Sequence, residues 1–165
     1  MPALTAGTTA PEFFAKTTDG KPFALKDALA HRPVVLAFFK VSCPTCQYTF
    51  PFLQRLFQAY KNQGVLLIGV SQNEAADTAM FAKQYGVSFP IVLDDTKRFP
   101  ISNAYGLASV PTLFWISPEG EIELVSVGWN RKDFEEINRR MADVGKQAAL
   151  SAFQSGEEVR DFRAG

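Results

Sequence analysis

Two cysteines and one histidine are the whole supply of thiol and imidazole chemistry in this chain of 165 residues. Two cysteines cannot build a disulfide scaffold, and a structural zinc site needs about four ligands, more than this chain supplies by itself. Charge of one sign is also missing: 17 Lys and Arg stand against 17 Asp and Glu. That balance gives no electrostatic case for nucleic acid or an anionic membrane as a partner. No apolar run approaches the length of a transmembrane helix. The start, "MPALTAGTTAPEF", has no basic stretch followed by an apolar block, the pattern of a signal peptide. The expectation is a cytoplasmic protein; an exported one lacking its leader reads the same way. Internal repeats and low-complexity linkers are absent.

What is present is apolar. Hydrophobic residues make up 47% and include 15 Phe, enough for a sizeable core without disulfides. The reading is a single domain over residues 1–165, its core spanning about 7–144. "PEFFAKTTDGKPFAL" brackets an Asp19-Gly20 pair and reads as a hairpin, followed by a short helix in "KDALAH". "PVVLAFF" (33–39) is a continuous apolar run, as in a strand buried on both faces. Phe50, Leu53, Phe57 and Tyr60 then recur at helical spacing, up to Gly64. "VLLIGV" predicts a second buried strand, "NEAADTAMFAKQYG" a helix closed by Gly86, and "FPIVLD" a short strand. "TKRFPISNAYG" reads as a helical segment broken by Pro100, and "TLFWI" and "IELVSVGW" as a second hairpin. A last helix from about Arg131 has Asn130 as its N-cap and Phe134, Ile137, Met141 and Val144 on one face. The tail from about 147 is expected to begin as helix and end loose. Strands alternating with helices imply an α/β fold: a central mixed sheet flanked by helices, with an N-terminal β-hairpin.

The cysteines sit together in "KVSCPTCQYTFP". Cys43 lies between the end of a buried strand and the start of a helix, where unpaired N–H groups and the helix dipole favour a thiolate. Cys46, one turn on, is close to it but more enclosed. An exposed thiolate followed by a second thiol at that distance suits attack and resolution in disulfide exchange. Three other readings compete. The pair could be inert buried thiols, part of a zinc site, or copper ligands with His31, although His31 precedes the strand that leads to the cysteines. A C-x-x-C in a β-α-β setting favours redox chemistry of the thioredoxin type.

Four stretches, in order, resemble the thioredoxin-like superfamily. They are "GTTAPEFFAKTTDGKPFAL", "VVLAFFKVSCPTCQYTFPFLQRL", "GVSFPIVLDD" and "AYGLASVPTLFWISPEGEI". The likeness covers about residues 7–144 and is nearest to the redoxin branch, the AhpC/TSA-type and TlpA/ResA-like proteins. It implies a thioredoxin-like fold, with Pro111 as the cis-proline that lies against the C-x-x-C and the Val110 backbone as a docking edge for an extended substrate segment. It also implies that Pro51 kinks the active-site helix. The departures are specific. Ser42 and Pro44-Thr45 replace the usual Trp before the first Cys and Gly-Pro between the two. Ala37 and Thr49 stand where members carry acids. Leu36 and Lys40 stand where typical peroxiredoxins carry Pro and Thr or Ser.

The implied function is a thiol-disulfide oxidoreductase with Cys43 as nucleophile and Cys46 as resolving thiol. Lys40, Pro44 and Thr45 are expected to tune the pair. The alternatives are a thiol peroxidase working through a Cys43 sulfenic acid and a copper-binding carrier. No cofactor and no metal is implied by the leading reading. The expected partners are protein disulfides or dithiols, with peroxides as an alternative, and the oligomeric state is left open.

Overall fold

The computed structural model describes residues 4–61 and 63–165. Its centre is β3 (Val34–Phe39), in which all six side chains are buried. Because side chains alternate across a strand, Val35, Ala37 and Phe39 enter one core while Val34, Leu36 and Phe38 enter the other. This is why the run shows no polar alternation.

β1 (Phe14–Thr17) and β2 (Pro22–Ala24) form the N-terminal hairpin, with Phe14 paired to Ala24. A short helix, α1 (Leu25–Leu29), follows. The chain then runs through β3, α2 (Pro44–Tyr60), β4 (Leu66–Ser71), α3 (Ala75–Tyr85) and β5 (Ile91–Leu93). β3, β4 and β5 are parallel neighbours. Both crossovers advance in the same direction along the sheet, so α2 and α3 cover the same face: Phe50 and Phe81 share one cluster, with rings 5.6 Å apart. α3 ends at Gly86, whose φ of 69° is the left-handed cap that glycine tolerates.

After α4 (Pro100–Ala104) come β6 (Thr112–Ile116) and β7 (Ile122–Val127), antiparallel to each other, with β6 antiparallel to β3. The seven-stranded sheet has the order β2-β1-β5-β4-β3-β6-β7 and is mixed as expected. β8 (Trp129–Asn130) leads into α5 (Arg131–Val144), where the Asn130 side chain accepts the Asp133 N–H at 3.0 Å.

Three expectations need correction. Pro100 does not break a helix; it begins α4, where its missing N–H costs nothing. Asp94 accepts the Ile101 and Ser102 N–H groups at 3.0 and 2.8 Å and holds that turn. Val144 does not complete the buried face of α5: it is 39% exposed, and the buried stripe is Phe134, Ile137, Asn138 and Met141. Finally, the stretch from 147 contains no helix. It is anchored by a polar trio: Leu150 donates its N–H to Tyr60 Oη (2.6 Å), its carbonyl accepts from Asn138 Nδ2 (2.7 Å), and the Tyr60 hydroxyl donates to Asn138. Phe153 then packs against Phe52, Trp129 and Phe134. The chain closes with β9 (Phe162–Arg163), antiparallel to β8.

Candidate active site

The four residues between β3 and α2 carry the chain out of the sheet and into a helix N-terminus. The Cys43 N–H donates to the Lys40 carbonyl at 3.2 Å. The Val41 N–H donates to Asn73 Oδ1, and Gln47 Nε2 donates to the Val41 carbonyl, both at 3.0 Å. The turn is therefore pinned from two sides. Cys43 is the N-cap of α2, with φ −83° and ψ 114°, and Pro44 is the first helical residue. Pro51, four residues after Gln47, lies inside α2 and removes one rung of the helix ladder.

Both cysteines are free thiols, Cys43 half-buried and Cys46 fully buried. Cys43 Sγ accepts the Cys46 N–H at 3.1 Å, and the Cys43 thiol donates to the Val110 carbonyl at 3.4 Å. An N-cap side chain ordinarily takes an N–H from the second or third helical residue; here a sulfur does what Ser or Asp does elsewhere. Burial pushes the Cys46 thiol well above the usual range, and the neighbouring Cys43 adds to the shift. No carboxylate relieves it at the two positions where one might have stood: Ala37 is a buried methyl, and the Thr49 hydroxyl is committed to the Thr45 carbonyl at 2.7 Å.

The other expected site residues are placed as follows. Val110–Pro111 is a cis peptide next to the cysteines, and the Pro111 carbonyl accepts the Gly128 N–H at 2.8 Å. The Lys40 side chain is exposed, and only its backbone carbonyl supports the turn. Pro44 is exposed at the first helical position. Thr45 is buried, and its hydroxyl donates to the Ala164 carbonyl at 2.6 Å. His31 is exposed at the entry to β3, the opposite end of that strand from Cys43, so the copper ligand set is not brought together. Among the described residues no three His, Cys, Asp or Glu side chains cluster.

Sequence reasoning reads Trp129 as packing with no further role and does not single out Tyr48. The Tyr48 hydroxyl accepts the Arg160 N–H (3.0 Å), and Trp129 Nε1 donates to the Arg160 carbonyl (2.6 Å). Their rings meet edge-on, 5.4 Å apart. The available signal was a tyrosine two residues past the second Cys and a tryptophan directly after the Gly that ends the second hairpin. Neither pattern reveals that a distant segment docks there.

A profile of the AhpC/TSA family matches residues 6–125, which contain both cysteines and the cis-proline. The chain belongs to that family. Within the AhpC/TSA family it is similar to the thiol-disulfide oxidoreductase ResA of Bacillus subtilis, 35% identical over 76% of this chain and 69% of that protein. It is likewise 37% identical to the ResA protein of Halalkalibacterium halodurans, over 74% of this chain and 69% of the other. Among solved structures, a candidate protein disulfide isomerase from Bacteroides thetaiotaomicron superposes with a TM-score of 0.79 at 27% identity, covering 89% of this chain and 96% of that one. The fold is thioredoxin-like and the chain falls in the TlpA/ResA-like branch of the redoxins. The match to the family profile ends at residue 125, so it does not extend to Trp129, α5 or the segment that reaches Tyr48.

Proposed function

We infer that the protein is a thiol-disulfide oxidoreductase acting on protein disulfides or dithiols. The observation that carries this reading is the asymmetry of the pair: a half-exposed sulfur at a helix N-cap, receiving the Cys46 N–H at 3.1 Å, above a fully buried thiol three residues on. A donor aimed at sulfur strengthens when that sulfur is negatively charged. In the reductive direction the Cys43 thiolate attacks one sulfur of a substrate disulfide, and the other sulfur leaves as a thiolate. Cys46 loses its proton and attacks Cys43 Sγ, which releases the second substrate thiolate and leaves the Cys43–Cys46 disulfide. Two electrons and two protons pass from the dithiol to the substrate, and the oxidative direction is the reverse. Val110 and Pro111 form the edge beside Cys43 along which an extended substrate segment would lie.

Reduction of insulin disulfides by catalytic protein, with a small dithiol as electron source, tests this reading. Turnover is expected with the parent chain and is lost with Cys43→Ser. The peroxidase alternative predicts instead that hydrogen peroxide is consumed with the same dithiol: Cys43 would become a sulfenic acid, and Cys46 would condense on it with loss of water. Leu36 is buried and Lys40 exposed at the two positions where typical peroxiredoxins carry Pro and Thr or Ser, which favours disulfide exchange. Peroxide turnover exceeding insulin turnover would reverse the choice.

A further inference from the structure

Residues 157–165 return to the cysteine site through a series of specific contacts. Arg55 holds the Glu157 carboxylate with two N–H···O bonds of 2.8 and 2.7 Å and the Ala152 carbonyl with a third of 2.8 Å. Arg160 is bonded on both sides of its backbone, to Tyr48 and to Trp129. The Asp161 carbonyl accepts the Arg131 N–H at 2.9 Å, and Phe162 and Arg163 pair with Asn130 and Trp129. The Arg163 guanidinium lies 5.9 Å from the centre of the Tyr48 ring. The Ala164 carbonyl takes the Thr45 hydroxyl, within the C-x-x-C itself. Gly165 is packed so tightly on the Val110 carbonyl that an added Cβ would overlap it. The same carbonyl oxygen receives the Cys43 thiol. One acceptor atom on the docking edge is therefore shared by the nucleophile and by the chain's own segment.

We propose that residues 157–165 form a built-in strap whose 161–165 portion occupies the docking edge beside Cys43 in place of a substrate polypeptide, so that exchange with protein disulfides waits on its release. This rests on the oxidoreductase reading. The strap is graded along its length. Its root is fixed by the Arg55–Glu157 pair and by the buried Trp129, whereas Ala164 and Gly165 are exposed and held mainly by the Thr45 bond and the Val110 contact. Segments with few buried contacts and exposed hydrogen bonds open first. The tip can thus lift from Val110 while the root stays docked, and the tethered tip competes with substrate as a ligand at an effective concentration on the order of millimolar. Small reagents that reach Cys43 without pairing along Val110 are much less affected.

Gly165→Val in the full chain tests the strap, because its Cβ cannot coexist with the Val110 carbonyl in the closed position. For insulin reduction we expect KM to fall roughly fivefold, the equivalent of about one net hydrogen bond, with kcat and the rate with oxidised glutathione nearly unchanged. A synthetic peptide of residues 157–165 added to the variant should raise KM again without lowering kcat. A second readout does not depend on turnover: a maleimide carrying a bulky polymer should label Cys43 faster in the variant than in the parent, while iodoacetamide labels both alike. Equal KM, or equal labelling by the bulky maleimide, overturns the strap. Absence of insulin turnover in both proteins, with Cys43 still alkylated, would sink the oxidoreductase reading instead, and the labelling comparison would still decide the strap.

Discussion

With Cys46 as the proposed resolving thiol, raising the pH from 7 to 9 is expected to accelerate the second half of disulfide exchange by about 100-fold, without levelling off. The Cys46 sulfur is fully buried and burial pushes its proton affinity up. The positions that could have held an acid offer the Ala37 methyl and a Thr49 hydroxyl already in use. In the mixed disulfide Cys43 no longer contributes to the shift, but burial, the larger cause, remains. A thiol far below its ionisation midpoint gains tenfold in thiolate for each pH unit. A thiol with the ordinary midpoint of about 8.5 would rise only roughly 25-fold over the same range and would be flattening by pH 9. The two cases separate cleanly. The mixed disulfide is prepared between Cys43 and thionitrobenzoate, and release of the chromophore is followed by stopped flow from pH 7 to 9.5. A log-linear slope near one supports the assignment. A plateau below pH 9 would show that some group lowers the Cys46 midpoint, and the argument from burial would then be wrong.

Further outcomes follow from the same geometry. In the reduced protein, iodoacetamide should modify the half-exposed Cys43 well before Cys46, read by peptide mass mapping; faster labelling of Cys46 would reverse the roles. Trp129→Ala should cost about 3–5 kcal/mol in guanidinium unfolding, as for other large aromatic truncations, because Trp129 is buried, stacks on Phe52 at 4.9 Å and bonds Arg160. A cost below 1 kcal/mol would mean that the aromatic cluster is not a structural centre. The Glu157 carboxyl is held down to about 2 by its hydrogen bonds to Arg55, and less by the Gln154 N–H. A depressed carboxyl contributes stability that is complete above its unfolded midpoint near 4.5 and is lost as pH falls toward 2. Amide exchange in residues 157–163, scaled for intrinsic rates, should therefore lose protection between pH 4.5 and 2, and unchanged protection would remove Glu157 as the root of the segment. Asp94→Ala strands two N–H donors, those of Ile101 and Ser102, at the start of α4 and should destabilise by about 1–3 kcal/mol, measured by urea titration.

Local pattern reached most of the sheet and the helix that carries the cysteines. β3 was legible because six buried residues in a row leave no other reading, and α3 because Gly86 supplies its left-handed cap. The pairing of Cys43 with the Val110 carbonyl was reachable only through family resemblance, since no spacing rule connects residues so far apart. Pro100 was misread because proline ends some helices and begins others, and Asp94, six residues earlier, decides which. Val144 followed the periodicity of α5 past the point where the core ends. The segment from 147 was illegible for a different reason. It shows no helical or strand period, and its path is set by single polar groups, Asn138 of the preceding helix α5 and Tyr60, Arg55 and Tyr48 of the distant α2.

The position of Gly165 has a practical consequence for anyone handling the protein. Any polypeptide that continues beyond this residue, whether natural or appended, must leave from beside the Val110 carbonyl and the Cys43 sulfur. A purification handle fused there would begin at the mouth of the redox pair. Depending on its first few residues, it would hold the tip down or pull it away. Redox potentials and exchange rates measured with and without such a fusion would then describe two differently obstructed thiols.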